Sequence, residues 1–409
     1  MSLPDRLKAL EAEELDSPTQ RSKHVPKGWE PGVTWEGGNG GTITTGTLEA
    51  PPENWDDLLR ERGLDPERYE IVGDTVKWCS YDGWKRDAVG EGAYSAICFS
   101  YRANIRLRVT ALRENDLSLE ALYIEARKQR PARSKRKSGE ETFVVALSDW
   151  QTGNADFGGV NGQIEAIANL PEKICEQLAD HRRSGHEIGT VVLAGLGDLV
   201  ENTCDFYPSQ AFTVELDRRE QTRVVRRGLR DIVLAVSKQA EKVNVVAIPG
   251  NHGENRKNGK AYTTVNDNDD VAVFEQVAEI IAASEAIENV GFRLAGEEVV
   301  VAIRVSDQTI AFTHGHVPKP RNGAVPTLWE WWKEHAMGRA IPALADADIL
   351  IAGHFHHLNV KEQEGRLILI APSLVKVGQY WANAHGTTTA AGTLSLIVSP
   401  DGWGGLNVL

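Results

Sequence analysis

Sulfur is scarce in this chain: its 409 residues hold 4 cysteines and 2 methionines. Cys79, Cys98, Cys175 and Cys204 are scattered with no close pair, which excludes a disulfide framework and a thiolate metal site. They read as reduced, structural residues. Long apolar runs are missing too. No stretch reaches the roughly 18 residues of a membrane-spanning helix, and Met1-Ser2-Leu3-Pro4-Asp5-Arg6-Leu7-Lys8 lacks the apolar core of a signal peptide. A cytoplasmic protein with no membrane partner is expected. Positive charge is in deficit, because 45 lysines and arginines against 58 aspartates and glutamates leave a net charge of −13. Such a surface repels polyanions as a whole, so any nucleic-acid contact must come from a local basic region or from metal ions.

At 41% hydrophobic the chain can bury a large core in more than one domain. No internal repeat of fixed period is present. Residues 1–50 are charged at first and then rich in Pro, Gly and Thr, with Gly37-Gly38-Asn39-Gly40-Gly41 at the centre, and a flexible arm is expected there. Residues 51–126 read as a small α+β module, with a short helix stopped at Gly63 and strand-like runs at 69–72, 75–81 and 95–110. Its last strands carry Tyr101, Arg102, Arg106 and Arg108, and the turn before them Trp84, Lys85 and Arg86. Interleaved aromatic and basic residues suit base stacking and phosphate contact; a half-buried sheet with a solvated face has the same pattern. A helix over 117–129 follows, and then a basic linker, 127–141, with Arg127, Lys128, Arg130, Arg133, Lys135, Arg136 and Lys137. It is either a phosphate-backbone contact or a solvated connection, and it places a boundary near residue 138.

Residues 142–409 carry the chemistry. Val243-Asn244-Val245-Val246-Ala247-Ile248 breaks at Pro249-Gly250 and delivers Asn251 and His252 into a loop. A run so dense in Val and Ile predicts a strand buried on both faces. Alone, Gly-Asn-His also fits a surface loop with a satisfied histidine. Four further apolar runs share the design, ending at Asp149-Trp150-Gln151, Gly197-Asp198, His314-Gly315-His316 and Gly353-His354-Phe355-His356-His357. Five runs, each followed at once by oxygen or nitrogen ligands, put those ligands on one rim of a sheet, where open α/β sheets take their ligands. Helices are expected at about 160–183, 215–240 and 269–284. Later strands are expected at about 298–305, 308–313, 347–352, 358–363, 366–370 and 392–398, forming a second sheet packed on the first. Trp329-Glu330-Trp331-Trp332 interrupts them as a helix over the core or as the lip of the site.

Two carboxylates, an asparagine and several histidines form a ligand set without sulfur, suited to Mn, Fe, Zn or Ni. One carboxylate able to bridge, Asp198, makes a two-metal site economical, and such a site activates water against a phosphoryl group. The leaving oxygen needs a proton, which a non-ligating imidazole at the edge supplies. His252, between glycines 250 and 253, is placed to do so.

In order and approximate spacing, Asp149-x-Gln151, Gly197-Asp198, Gly250-Asn251-His252, His314-Gly315-His316 and Gly353-His354-x-His356 resemble the blocks of the calcineurin-like metallophosphoesterases over about residues 142–398. The chain also looks like versions carried by actinobacterial phages, in which a small module precedes the phosphoesterase. The resemblance implies a four-layer α/β/β/α sandwich. It implies that Asp149, Asp198 and His356 hold one metal and Asp198, Asn251, His314 and His354 the other, with His252 as general acid. Gln151 stands where that family usually has a histidine ligand, so it would hold the first metal weakly through its amide oxygen or not at all, which favours a harder ion such as Mn. An acidic residue often follows the family's His; Gly253 stands there, and Glu254 is the candidate to orient His252. Glu201, Asn202, Arg256 and His316 are candidate substrate contacts, with His357 and His316 also candidates to support the ligands. A helix cap is the other reading of Glu201 and Asn202, and simple loop solubility that of the Arg256–Lys260 segment.

The expected activity is phosphodiester hydrolysis on nucleic acid, DNA first, by likeness to the double-strand-break repair nucleases of the superfamily. Hydrolysis of a nucleotide or other small phosphoester is the alternative, and a DNA-binding or scaffold protein with a degraded site the third. Oligomeric state is left open.

Overall fold

The computed structural model describes residues 27–35, 40–52, 54–66, 69–72, 75–86, 93–107, 118–130, 138–155, 159–203, 206, 210–338, 340–374 and 390–409. The segment before Arg21, the glycine run at 37–39, Arg108, and Arg133, Lys135, Arg136 and Lys137 of the basic linker lie outside the described residues, as do the side chains of Trp84, Lys85, Arg86 and Arg106. The chain divides into two compact units, Met1–Thr110 and Ala111–Leu409.

In the first unit, β1 (Gly32–Trp35), β2 (Gly40–Thr44), β3 (Tyr69–Ile71), β4 (Lys77–Arg86) and β5 (Ala93–Leu107) form one sheet. The long β5 pairs antiparallel with β2, β3 and β4 along its length. Two expectations are corrected here. The arm expected over residues 1–50 contains β1 and β2, because β-branched Thr42, Ile43 and Thr44 find partners in Asn104, Ala103 and Arg102. That pairing is non-local and leaves no trace in the local composition. Tyr101, expected to stack bases, is fully buried; it lies between Trp55 and Trp78 at 6.2 and 6.3 Å. Alternation along β5 sends Tyr101, Ala103 and Ile105 to the core and leaves Arg102 and Asn104 on the open side.

The second unit begins with the helix Leu119–Arg127, capped by Ser118, whose hydroxyl accepts from the Ala121 N–H. Leu122 and Ala126 pack on Ile280, and Glu125 pairs with the buried Arg230. This helix therefore belongs to the second unit. The boundary falls at Thr110/Ala111 rather than near residue 138, because an apolar face on the helix, not linker composition, decides where it packs.

Among the described residues, eleven of the remaining strands build two sheets and two form a small hairpin. These are β6 (Glu141–Leu147), β7 (Ile188–Gly195), β8 (Lys242–Ala247), the hairpin β9 (Arg256–Lys257) and β10 (Lys260–Ala261), β11 (Val290–Leu294), β12 (Val300–Val305) and β13 (Gln308–Thr313). They continue with β14 (Ile349–Ala352), β15 (Asn359–Gln363), β16 (Arg366–Ile370), β17 (Leu394–Ser399) and β18 (Gly402–Val408). One sheet has the order β11-β8-β7-β6-β17-β18 and the other β12-β13-β14-β16-β15. Strands β6, β7, β8 and β11 run parallel, as do β13, β14 and β16. Alternate residues of both sheets, among them Val144, Val192, Val246, Phe312, Ile351, Leu369 and Leu396, merge into one buried cluster, so the sheets pack face to face. The outer face of the second sheet is covered by the tryptophan-rich helix Ala324–Gly338, with Trp329, Trp331 and Trp332 over Ala311, Leu350 and Ile368. Helices Arg218–Ser237 and Asp269–Ala282 pack on β8, and Gly159–Arg183 packs on the first of them. The mixed α/β fold expected from the sequence is present, with helices outside two stacked sheets. No helix among the described residues is long and apolar enough to cross a membrane.

Candidate metal centre

Parallel strands aim their carboxyl ends the same way, so β6, β7 and β8 deliver Asp149, Asp198 and Asn251 to one rim, and β13 and β14 deliver His314, His354 and His356 from the facing sheet. The connecting backbone is bent hard. Asp149, Gln151, Asp198, His354 and His356 all have positive φ, between 43° and 69°, a region that non-glycine residues occupy only where surrounding structure holds them. Two glycines make room for the carboxylates. A Cβ on Gly250 would sit 2.1 Å from the Asp198 nitrogen, and one on Gly353 2.1 Å from Ser148 Oγ and 2.8 Å from Asp149 Oδ2.

Two groups of donors result. His314 Nε2 lies 3.0 Å from Asp198 Oδ2 and 3.0 Å from Asn251 Oδ1, while its Nδ1 donates to the Leu196 carbonyl at 2.8 Å. That bond leaves Nε2 free of its proton in the neutral ring. Among the described residues, ligand atoms of Asp198, His314 and His354 all lie within 4.8 Å of one another. In the second group, His356 Nε2 is 3.2 Å from Asp149 Oδ1, and the His354 N–H donates to the Asp149 carboxylate at 3.0 Å.

Electrostatics show why these donors suit a cation. Burial by itself would raise the Asp149 carboxyl, but the His356 and His314 imidazoles beside it outweigh burial and hold it low. Burial likewise opposes ionisation of Asp198, and His314 and His252 overcome it. Burial lowers His314, yet Asp198 wins and pushes it up to about 9; His356 is raised by Asp149 in the same contest. His354, with burial and the His314 charge both against it, falls to about 4. In the metal-free protein a proton on His314, with His356 biased in the same direction by Asp149, therefore offsets the charge of two buried carboxylates. An all-oxygen-and-nitrogen donor set around such a charge deficit fits divalent ions.

The sign of the resulting pH dependence follows. A proton on His314 must leave before Nε2 can ligate, so protons compete with metal below about 9. The apparent affinity of the ion held by His314 is expected to rise about tenfold per pH unit through neutrality and to level off above that value. Mn²⁺ titrations at about pH 6.5 and about pH 8.5 check this, and a pH-independent affinity would refute it.

His252 stands outside both donor groups. Its N–H donates to Asp198 Oδ1 at 2.7 Å, and its Nδ1 donates to the Glu201 carbonyl at 2.9 Å, with Glu201 Oε2 3.4 Å away. Nε2 faces the Gln151 amide at 3.4 Å. Glu201 is fully buried and backs the imidazole, so it is not the substrate contact expected of it. Nor does Glu254 orient His252: its oxygens are 2.9 Å from Arg256 Nε and 3.5 Å from His316 Nε2. Asn202, also expected at the substrate, donates instead to the carbonyls of His252 and Glu254 at 3.1 and 3.3 Å, tying down the loop. Arg256 and His316 remain at the edge, with side chains 20% and 16% exposed. His357 Nδ1 closes a tight local turn onto the Phe355 carbonyl.

Sequence reasoning missed Asp270. Its buried carboxylate accepts from the N–H groups of Asp198 at 2.8 Å, Leu199 at 2.9 Å, Val200 at 3.3 Å and Gly250 at 3.2 Å, joining the two loops that carry Asp198 and Asn251. Burial and the Asp198 charge raise it to about 7. The signal available was the helix start Asn268-Asp269-Asp270, where Asn268 caps the helix. Asp270→Ala strands four buried N–H donors and is expected to cost about 3–5 kcal/mol, read by chemical denaturation. A loss below about 1 kcal/mol would contradict that bridging role.

Residues 144–376 match the calcineurin-like phosphoesterase family. Similar solved structures include vacuolar protein sorting 29 from Cryptosporidium parvum, at 13% identity and TM-score 0.29, covering 64% of this chain and 87% of that one. A conserved protein of Streptococcus pneumoniae described as a phosphoesterase matches at 12% identity and TM-score 0.27, covering 65% and 93%. An archaeal phosphodiesterase matches at 12% identity and TM-score 0.31, covering 66% and 99%. At these values the three likenesses carry no argument about activity. No curated protein sequence matches. The family match spans more than half of the chain and contains every one of the donors gathered at the rim, and this chain belongs to the calcineurin-like phosphoesterase family, metal-dependent hydrolases of phosphoesters.

Proposed function

We propose that this protein hydrolyses phosphodiester bonds of nucleic acid, DNA in the first place, using two divalent ions with Mn foremost. The observation that carries the reading is the gathering of Asp149, Asp198, Asn251, His314, His354 and His356 at one rim, with His252 beside them outside the donor groups. Asp149, His356 and Asp198, with Gln151 at the margin, would hold one ion, and Asp198, Asn251, His314 and His354 the other. When bound, such a pair offsets the charge of a phosphoryl group and makes water nucleophilic at neutral pH. The chain itself does the rest. Glu201 holds His252 by Nδ1 and leaves Nε2 to give a proton to the leaving oxygen, and the buried rim limits competing water.

Support for a polymeric substrate comes from the hairpin β9–β10, which follows the catalytic loop directly and carries Arg256, Lys257 and Lys260. These cations suit the phosphates flanking the scissile one. The basic linker after Arg127 is a second candidate contact. A small phosphoester is favoured instead by the net charge of −13 and by the burial of Tyr101, which withdraws an expected stacking platform.

Parallel incubation with Mn²⁺ and bis-p-nitrophenyl phosphate, single-stranded DNA or duplex DNA separates these readings. Cleavage of DNA is expected. Turnover of the small diester alone moves the assignment to small phosphoesters, and silence with all three overturns it.

A further inference from the structure

The short hydrogen bond of the His252 ring is at one corner, Nδ1, while Nε2 meets only the Gln151 amide at the longer distance of 3.4 Å. Both contacts to Glu201 are made through Nδ1, so they leave rotation of the ring about that corner soft, as the terminal torsion of histidine is. Phe206 supplies what is missing. Its ring lies parallel to the imidazole, with centroids 4.6 Å apart and planes 10° from each other, an offset stack. The Arg256 guanidinium also lies over the Phe206 ring, 4.6 Å from the ring centroid. Arg256 in turn is held by Glu254, which also meets His316 across the site.

We infer that Phe206 is a positioning residue for proton donation: clamped by Arg256, it sets the plane of the His252 ring so that Nε2 points at the leaving oxygen. The inference rests on the role given to His252 above. It assigns Phe206 no contact with substrate and no share in holding metal. Arg256 thereby has a structural duty in addition to any contact with a flanking phosphate.

A donor's value depends on how badly the leaving group needs a proton, and this makes the idea testable. Bis-p-nitrophenyl phosphate expels a stable phenolate, whereas bis-phenyl phosphate or a thymidine dinucleotide expels a more basic oxygen. In Phe206→Leu, the kcat ratio between the basic and the stable leaving group is expected to fall about tenfold, a fraction of what complete loss of a general acid costs. Phe206→Tyr, which keeps the ring, is expected to restore the ratio. An equal loss on every substrate indicates a merely structural residue and overturns the inference, as does an unchanged ratio. A second readout does not need turnover. The carbon-bound ring protons of His252 are expected upfield in the NMR spectrum of the wild type, shielded by the Phe206 ring, and to move downfield in Phe206→Leu. If they do not move, the stack is absent from solution and the inference fails. If they move while wild-type protein hydrolyses nothing, the stack stands, the proton-donation role assigned to it is overturned, and the catalytic reading of His252 falls with it.

Discussion

Asp198→Asn is expected to lower turnover at least about a thousandfold, the equivalent of about 4 kcal/mol of transition-state stabilisation. The substitution keeps the shape of the side chain and one acceptor for the His252 N–H, so the loop has little reason to move. What it removes is charge. Asp198 is the carboxylate that contacts His314 at 3.0 Å and raises it to about 9, and both proposed metal positions depend on it. Two accompanying changes are therefore expected: weaker Mn²⁺ binding by calorimetry, and a His314 titration that moves down towards its ordinary range. A variant with near-native turnover and metal content would remove Asp198 from the centre of the scheme.

The second large effect is expected at His252. Because its Nδ1 is held by Glu201 and its Nε2 faces the Gln151 amide outside both donor groups, His252→Gln should leave metal binding intact. The kcat for a substrate with a basic leaving group is expected to fall by about 10²–10⁴-fold. Stoichiometry of bound Mn²⁺ and kcat measured on the same preparation make the comparison. Loss of metal together with activity would make His252 a ligand rather than a donor; full activity would refute the acid role outright.

These two residues were visible from the sequence for a simple reason. Strand ends on a parallel sheet are announced locally, by a run of Val, Ile, Leu and Ala that stops at a glycine or a polar residue. The helix expected over 160–183 is Gly159–Arg183, and the strands expected at 308–313 and 366–370 are β13 and β16. Where side chains are small or alternate in exposure, that announcement fades. Strand β18, with glycines at 402, 404 and 405 and every second residue exposed, carried no usable strand signal. Strands β1 and β2 sit among the glycines of a stretch that reads as loop.

Contacts across the chain were not legible at all. Glu201 backs His252 from 51 positions away, and Asp270 reaches Asp198 over 72. In the sequence Glu201 is marked only by its place after Asp198 and Asp270 only as part of a helix start; the role of each is defined by the groups it meets after folding. The same holds for Phe206 against His252 and Arg256, and for Tyr101, whose neighbours Trp55 and Trp78 turned an apparent stacking face into core.

By itself, then, the order of residues determined which oxygen and nitrogen donors stand at the ends of buried strands, since periodicity and strand termination are local properties of the chain; that those strands lie in two facing sheets and not in the one expected was decided by packing. Only the tertiary structure decided which carboxylate stands behind which imidazole, where the two units divide, and which polar groups face solvent. Those outcomes depend on burial and on partners brought together from distant segments, and burial is settled only when the sheets have packed.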